Sequence, residues 1–306
     1  MTLLDDGLAQ PISFDARYGA DARRAVVLGG GGVVFVAWLT AYLGELARRG
    51  VRMHDADRIV GTSAGSVLAT VIAHDRLARF EKLVRALEGR PNLIHRLAPA
   101  AGLSHSQLRA SEMFAAASDA EPDTLKAIGT AAMAASTPSA ELLPAGILML
   151  VQTWRWPGDQ LVVSAADAFT GERLALTRGS GVPLLRAVAA SASVPGLFAP
   201  QRLRDRRAID GGVSGSGIHA DLVAGAERAL VFPIAGELAA PRFTIAPDAT
   251  DREVAALRAS GTEVCVRHSR LSETIDLMDP AEVPAAVALG ATQAVEDVDE
   301  LRAFWV

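Results

Sequence analysis

A serine lies at the centre of the pattern Gly61-Thr62-Ser63-Ala64-Gly65. The residues before it predict a short buried strand at Arg58–Val60, and those after it predict an apolar helix through about residue 89. A strand, a sharp glycine turn and a helix would raise the Ser63 hydroxyl above a sheet edge and point helix amides at an oxyanion, as acyl transfer requires. An ordinary glycine turn with Ser63 as a helix cap remains the alternative.

A run of four glycines, Gly29–Gly32, stands about 30 residues upstream and follows a predicted buried strand at Arg24–Leu28. Glycines let backbone amides face inward without a Cβ in the way, which suits an oxyanion hole or a phosphate cradle. Phe35 occupies the place of the third glycine in a dinucleotide motif, and no Gly-Lys-Ser/Thr occurs in the chain. Nucleotide binding is therefore disfavoured.

A third pattern, Asp210-Gly211-Gly212, follows a predicted short strand at Arg207–Ile209. A carboxylate at a strand end, backed by two glycines, can approach the turn of another strand. Taken by itself, the pattern indicates only a turn.

Taken in order, the glycine run, the Gly-x-Ser-x-Gly motif and the Asp-Gly-Gly motif resemble the patatin-like phospholipase family. Two further segments are similar to it, namely 191–200, which reads SASVPGLFAP, and Met278-Asp279-Pro280 with the apolar helix after it. The resemblance covers about residues 24–295. Three motifs in this order are far more specific than any one of them.

The resemblance implies a three-layer α/β/α domain with a largely parallel central sheet and an inserted helical cap. It implies a catalytic Ser–Asp dyad, in which Ser63 is the nucleophile and Asp210 the general base. The implied oxyanion donors are the amides of Gly30, Gly31 and Gly32. Four more glycines would support the sharp turn at Ser63 and the rest of the site, namely Gly61, Gly65, Gly211 and Gly212. No cofactor and no metal are implied.

One departure from the family pattern concerns the residues after the glycine run. The family usually continues with an arginine or lysine and then a glycine, where this chain has Val34 and Phe35. The loss of that cation disfavours anionic phospholipid as a substrate and leaves open either a neutral ester substrate or a weakly active member of the family. An arginine cluster before Asp210 offers substitute charge or forms a solvated edge strand or loop; it comprises Arg202, Arg204, Arg206 and Arg207.

The remaining pattern predicts one domain over 21–306 behind an N-terminal leader, 1–20. Strand, helix and strand at 24–60 predict a right-handed βαβ unit with parallel strands. The Ala-, Ser- and Pro-rich stretch 91–157 is interpreted as the helical cap. Further strands are predicted at 161–165, 173–176, 229–234 and 263–267, and further helices at 33–49, 184–193 and 281–304.

The net charge and the cysteine count exclude further classes of protein. The 306 residues carry a net charge of −5, which disfavours a nucleic-acid binder, and the single cysteine, Cys265, excludes a disulfide framework within the chain.

No signal peptide is apparent, and the apolar stretch 127–154 is interrupted by Pro138 and Pro144. We therefore expect a soluble, cytoplasmic protein, whose oligomeric state the sequence leaves open. Trp154 and Trp156 in or beside that stretch would face acyl chains or a membrane interface, or lie in buried cap helices.

The predicted function is a lipid acyl hydrolase that cleaves fatty-acyl esters, whether phospholipid, lysophospholipid or neutral lipid. Two alternatives stay open: an acyltransferase on the same dyad, and a catalytically silent lipid-binding or scaffold protein. A histidine triad would need His219 or His268 as the base. We expect structural roles for both, and no histidine pattern typical of a metal site occurs.

Overall fold

The computed structural model describes residues 7–87, 102–215, 217–234, 248–272 and 275–306. An eight-stranded mixed sheet forms the centre of the molecule. Its strands are β1 (Arg24–Leu28), β2 (Arg58–Gly61), β3 (Leu161–Asp167), β4 (Arg173–Leu176), β5 (Gln201–Leu203), β6 (Arg206–Asp210), β7 (Arg228–Phe232) and β8 (Glu263–Val266).

The sheet is mostly parallel, as expected. Its order is β5-β6-β3-β2-β1-β7-β8, with β4 also paired to β3. Five neighbouring strands of the sheet, β3, β2, β1, β7 and β8, run parallel to one another. Strands β4 and β6 each pair antiparallel with β3, and β5 pairs antiparallel with β6. Successive residues of β1 are buried in clusters on opposite faces, Val26 and Leu28 on one and Ala25 and Val27 on the other. Both faces are therefore covered, as parallel sheets require.

Nine helices form among the described residues. Those that share the first face of the sheet are α1 (Gly32–Arg48), α2 (Ala64–Ala73), α3 (Leu77–Leu87), α6 (Leu142–Val151), α7 (Leu184–Ser191) and α9 (Val283–Trp305). The other face carries α4 (His105–Ala115), α5 (Pro122–Ala134) and α8 (Ala249–Ala259). The three-layer α/β/α expectation is confirmed.

The stretch predicted as a cap contributes helices to both faces. Its first part, 91–101, lies outside the described residues. Helices α4 and α5 pack on Ala166, Ala168 and Ile209 at the β3–β6 end of the second face. Helix α6 packs on the first face against α2, α3 and α7. That this stretch is an insertion and a cap stays a prediction.

The described part of the predicted leader is built into the domain. Residue Ala9 forms an isolated antiparallel bridge with Leu174 of β4. The side chain of Arg173 donates to the carbonyls of Gln10 and Pro11 and makes a buried ion pair with Asp221 at 2.5 Å. Residues 1–6 lie outside the described range.

One local prediction is wrong, and two elements of the structure have no predicted counterpart. The helix expected to run from the Ser63 turn through about residue 89 is wrong, because α2 ends at Ala73 and α3 begins at Leu77, with Asp75 left-handed between them at φ 53°. Strand β5 and helix α8 were not predicted from the sequence. The three-residue β5 is too short for an alternation pattern, and α8 has only two large apolar side chains, Val254 and Leu257, so neither has a strong hydrophobic periodicity.

Candidate active site

Strands β2 and β6 meet end to end along one edge of β3. Gly61 of β2 is paired with Val163, and Asp210 of β6 is paired with Ala165, two residues farther along β3. Both of these β3 residues also pair with β4, which occupies the other edge. Since β2 and β6 run in opposite directions, their carboxyl ends converge, and the turns that follow them carry Ser63 and Asp210.

Ser63 is held in a strained turn. Its backbone has φ 52° and ψ −126°, a region that non-glycine residues rarely adopt and that costs about 1–3 kcal/mol. Its N–H donates to the Ser191 hydroxyl at 2.9 Å, and its carbonyl accepts from the N–H and the hydroxyl of Ser66. Close packing explains the flanking glycines. A Cβ at Gly65 would lie 2.4 Å from backbone oxygens of β1 and its turn, and one at Gly61 would lie 2.6 Å from Ser66.

Asp210 is buried, with 2% of its surface exposed. Its Oδ1 accepts from the N–H of Gly212 at 2.7 Å, and its own N–H donates to the carbonyl of Ser193. Burial raises the pKa of Asp210 to about 7, and the Ser63 hydroxyl and the Gly212 amide oppose that rise. Gly211 has no room for a side chain, because a Cβ there would lie 2.5 Å from the Ser164 hydroxyl.

The two side chains interact, but loosely. The Ser63 hydroxyl is close enough to lower the pKa of the Asp210 carboxyl, whereas Oδ2 of Asp210 has no hydrogen-bond partner of normal geometry among the described residues. Catalytic hydrogen bonds are often long before substrate binds. A buried carboxylate oxygen without a partner, beside a hydroxyl, can take up the proton of that hydroxyl.

The glycine run turns from β1 into α1 beside Ser63. A Cβ on Gly30 would lie 3.0 Å from the Ser63 Cβ, so the Gly30 backbone borders the serine side chain. At Gly31 a Cβ would collide with Phe35, and at Gly32 with the carbonyl of Leu277. The N–H groups of these three glycines bond to no backbone carbonyl among the described residues. The run ends at the start of α1, where a helix N-terminus favours negative charge, and the role of these N–H groups as oxyanion donors stays a prediction.

A cavity of about 330 Å³ opens beside Ser63. It is lined almost wholly by apolar side chains, and none of the described residues that line it is charged. Helices α1, α2, α3 and α6 form much of its wall, and the segments 138–140 and 192–201 contribute most of the remaining side. The side chains that line the cavity from these helices include Val36, Val67, Phe80, Val84, Leu143 and Ile147. A smaller cavity of about 30 Å³ touches Ser63 and Asp210 and is large enough to hold water.

The residues that depart from the family pattern lie in the core. Val34 and Phe35 are both fully buried, and the Phe35 ring stacks on Trp38 at 5.5 Å. No space for a cation exists there without rebuilding this packing. The arginine cluster lies on the β5–β6 hairpin, where Arg202 is paired with Arg207. Three residues of strand separate Arg206 from Asp210, and two separate Arg207 from it, so the edge-strand interpretation is favoured over added charge at the site.

His219 is buried beneath the Asp-Gly-Gly turn. Its Nε2 lies 2.9 Å from the carbonyl of Gly211, which accepts only, so Nε2 carries the proton. Burial lowers the pKa of His219 to about 4. No hydrogen bond joins it to Ser63 in the described part of the chain. This geometry favours the structural role expected for His219. His268 lies beyond β8, where its carbonyl accepts from Gln293.

Two serines that support the site were missed as functional residues. Ser191 holds the Ser63 amide, and the carbonyl of Ser193 holds the Asp210 amide. Both lie in the segment 191–200, which the resemblance singled out without assigning roles. A hydroxyl pair, Thr62 and Ser164 at 2.7 Å, links the β2 turn to β3. The only signal was a concentration of small hydroxyl residues near a predicted helix end.

Across the residues that the structure describes, no group of histidine, cysteine, aspartate or glutamate side chains is arranged to hold a metal ion. None of the described helices combines the length and apolar character needed to cross a bilayer.

Comparison with known proteins agrees with the motif order. A family model described as patatin-like phospholipase matches residues 26–223. Among solved structures, VipD from Legionella pneumophila is 12% identical, with a TM-score of 0.47 and coverage of 97% of this chain and 69% of that one. The type III effector protein ExoU is 14% identical, with a TM-score of 0.37 and coverage of 91% and 53%. No curated protein matches the chain.

Proposed function

The chain belongs to the patatin-like phospholipase family, a family of carboxylic ester hydrolases, and on that premise we propose that it hydrolyses fatty-acyl esters through Ser63 and Asp210. The observation that carries the proposal is the meeting of β2 and β6 along one edge of β3, which brings a strained serine to a buried, partly unpaired carboxylate. The apolar cavity beside Ser63 supports an acyl chain as the group recognised.

In the first half of the reaction Ser63 is acylated. Its Oγ attacks the ester carbonyl carbon while its proton passes to Oδ2 of Asp210. The carbonyl oxygen becomes negative and takes hydrogen bonds from the N–H groups of Gly30, Gly31 and Gly32. When the tetrahedral intermediate collapses, the carbon–oxygen bond to the alcohol breaks and the alcohol leaves with the proton from Asp210.

In the second half water replaces the alcohol. A water molecule beside Asp210 gives its proton to Oδ2 and attacks the acyl carbon, and the same glycine amides hold the oxyanion again. Collapse breaks the bond to Ser63 Oγ, which recovers its proton from Asp210, and releases the fatty acid. The small cavity at Ser63 and Asp210 supports this step, since it is large enough to hold water.

The pH dependence of the rate follows from the buried carboxyl. Asp210 must be ionised to accept a proton, and burial raises its pKa to about 7. We expect kcat/KM for a dissolved p-nitrophenyl ester to rise about tenfold per pH unit below 7 and to level off above it. The measurement is initial rate against pH from 4.5 to 9.

A histidine variant separates this carboxyl from an imidazole base. In His219→Gln an amide can still donate to the Gly211 carbonyl, so kcat/KM of the variant should still rise with pH and level off with the same midpoint near pH 7. The assignment of Asp210 as the base would be contradicted if the variant lost this rise in kcat/KM. It would also be contradicted if the midpoint of the wild-type rise lay near the ordinary aspartate pKa of 3.8.

Chain-length preference should change when the cavity is filled. Gly146 lies on α6, is buried and lines the cavity. In Gly146→Leu an added side chain would occupy volume that the acyl group needs. We expect kcat/KM for dodecanoyl esters to fall about tenfold or more while acetyl esters lose less than about threefold, since each buried methylene contributes about 0.8 kcal/mol. The measurement is a series of esters from two to twelve carbons.

A matched control lies on another helix. Ala134 is exposed on α5, outside α6, and does not line the cavity, so Ala134→Leu adds a side chain of comparable size away from it. This variant should keep the wild-type preference. A uniform loss for all chain lengths in Gly146→Leu would show that the cavity does not hold the acyl group.

A further inference from the structure

Helix α6 is apolar on its outer side as well as on its inner side. Its ten residues, LLPAGILMLV, carry no charge. The outer stripe consists of four exposed residues at helical spacing, Leu142, Ala145, Leu148 and Met149. Leu142 is 63% exposed and Met149 is 66% exposed. A surface helix normally turns a polar face outward, so this stripe indicates a surface that is covered when the protein acts.

The inner side of the same helix lines the apolar cavity. Leu143, Gly146, Ile147 and Leu150 face the cavity that opens beside Ser63. Leu142 belongs to both surfaces, because it is exposed and also lines the cavity. The stripe is therefore continuous with the cavity at its mouth.

An exposed tryptophan follows α6 in the chain. Trp154 follows three residues after the end of α6 and is 67% exposed, whereas Trp156 is half-buried and donates its indole N–H to the carbonyl of Val182. Tryptophan is enriched where proteins meet the headgroup level of a bilayer, because its ring is apolar and its N–H is polar. Arg155 beside it is exposed and can reach the water side of such an interface.

We propose that the stripe on α6, together with Trp154, docks the protein on the surface of a lipid aggregate, so that an acyl chain passes from that surface into the cavity. The inference rests on the proposed function, since it takes the cavity to be the acyl site. A lipid surface is the occupant that fits, because the rim that a lipid must cross to reach Ser63 is itself apolar and exposed.

The charge around the stripe defines the kind of lipid surface. Glu141, which precedes α6, is paired with Arg186 at 2.8 Å. Without a basic cluster on the stripe, docking depends on insertion of apolar side chains and not on attraction to anionic headgroups. Neutral phosphatidylcholine vesicles should therefore bind, and added salt should leave the binding unchanged.

Two substitutions outside the cavity test the surface. Met149→Gln and Trp154→Gln each remove a large exposed apolar side chain that does not line the cavity. Co-sedimentation with phosphatidylcholine vesicles, in a Ser63→Ala background that leaves the lipid intact, should show about tenfold weaker binding for each. The matched control is Phe169→Gln, since Phe169 is 59% exposed in the turn after β3 and lies outside the stripe. It should bind as the parent does.

Other results would overturn the proposal. Absence of vesicle binding, equal binding by all variants, or binding lost in 0.5 M salt would each exclude insertion through this stripe. Light scattering tests whether a second copy of the chain covers the stripe instead of a lipid surface. If the parent protein is a dimer and Met149→Gln is a monomer, the stripe serves self-association.

A dissolved ester separates this inference from the proposed function. If the Met149 and Trp154 variants hydrolyse that ester normally and no protein binds vesicles, the docking surface is wrong and the hydrolase stands. If vesicles bind but the ester is not cleaved by protein with an intact Ser63, the surface stands and the hydrolase is wrong.

Discussion

Ser63→Ala is expected to lower kcat for a medium-chain p-nitrophenyl ester by ~10⁴-fold or more. The hydroxyl that attacks the ester is removed, and no other group takes its place at the strained turn. The hydrogen bonds that hold this turn use the backbone N–H and carbonyl of residue 63 and persist in alanine. The melting temperature should therefore change little. An unchanged melting temperature would show that the loss of kcat comes from the missing nucleophile and not from unfolding. Initial rates and thermal melts measure the two effects.

A surface serine supplies the control for this result. Ser136 is exposed in the segment between α5 and α6, and Ser136→Ala should retain wild-type turnover. A Ser63→Ala protein that keeps more than a tenth of the activity would exclude Ser63 as the nucleophile. A wild type without activity on this ester and on a panel of lipids would instead favour the silent lipid-binding alternative.

Asp210→Asn is expected to lower kcat by ~10²–10⁴-fold at pH 8. The amide has the same shape, and its oxygen can still accept from the Gly212 N–H, which now lies 2.7 Å from Oδ1. It cannot accept the proton of Ser63, so both acylation and deacylation lose their base. Rates of p-nitrophenol release under saturating ester measure the loss.

The same substitution should make the protein more stable above pH 7. Burial raises the folded-state pKa of Asp210 to about 7 from an ordinary 3.8. Between these values the folded form holds a proton that the unfolded form has lost, so wild-type stability declines as pH rises through this window. Asparagine has no such dependence. Urea unfolding at pH 5 and pH 8 should show an advantage of Asp210→Asn that is larger at pH 8.

A second carboxylate serves as control for Asp210. Asp205 lies in the β5–β6 turn, exposed and at the far end of β6, and Asp205→Asn should keep both activity and stability. If Asp210→Asn retains wild-type kcat, another base acts on Ser63. If its stability advantage is the same at both pH values, Asp210 does not carry the raised pKa.

The parts of the fold that the sequence predicts are those with strong local signals. Strand β1, the glycine turn and α1 form within one residue of their predicted bounds, because a run of apolar residues ends at Gly29–Gly32 and a helical spacing of leucines follows. The parallel pairing of β1 and β2 follows from the length of the crossover. The break between α2 and α3 has no comparable signal, since it depends on a left-handed Asp75 in an otherwise helical pattern.

The site could be predicted as residues but not as geometry. The motifs single out Ser63 and Asp210, yet their meeting depends on β2 and β6 sharing one edge of β3, a long-range pairing that no local pattern encodes. The supporting roles of Ser191 and Ser193 depend on the same arrangement. The cavity is equally a product of packing, because its walls come from helices far apart in the chain.

Covalent labelling tests the central claim, attack by Ser63, most directly. A fluorophosphonate with a medium alkyl chain reacts with an activated serine hydroxyl and leaves a stable adduct that intact-mass measurement and peptide mapping locate. The account predicts one adduct per chain, on Ser63, formed much more slowly in Asp210→Asn and absent in Ser63→Ala. An adduct on another residue, or labelling of Ser63→Ala at the wild-type rate, would contradict it.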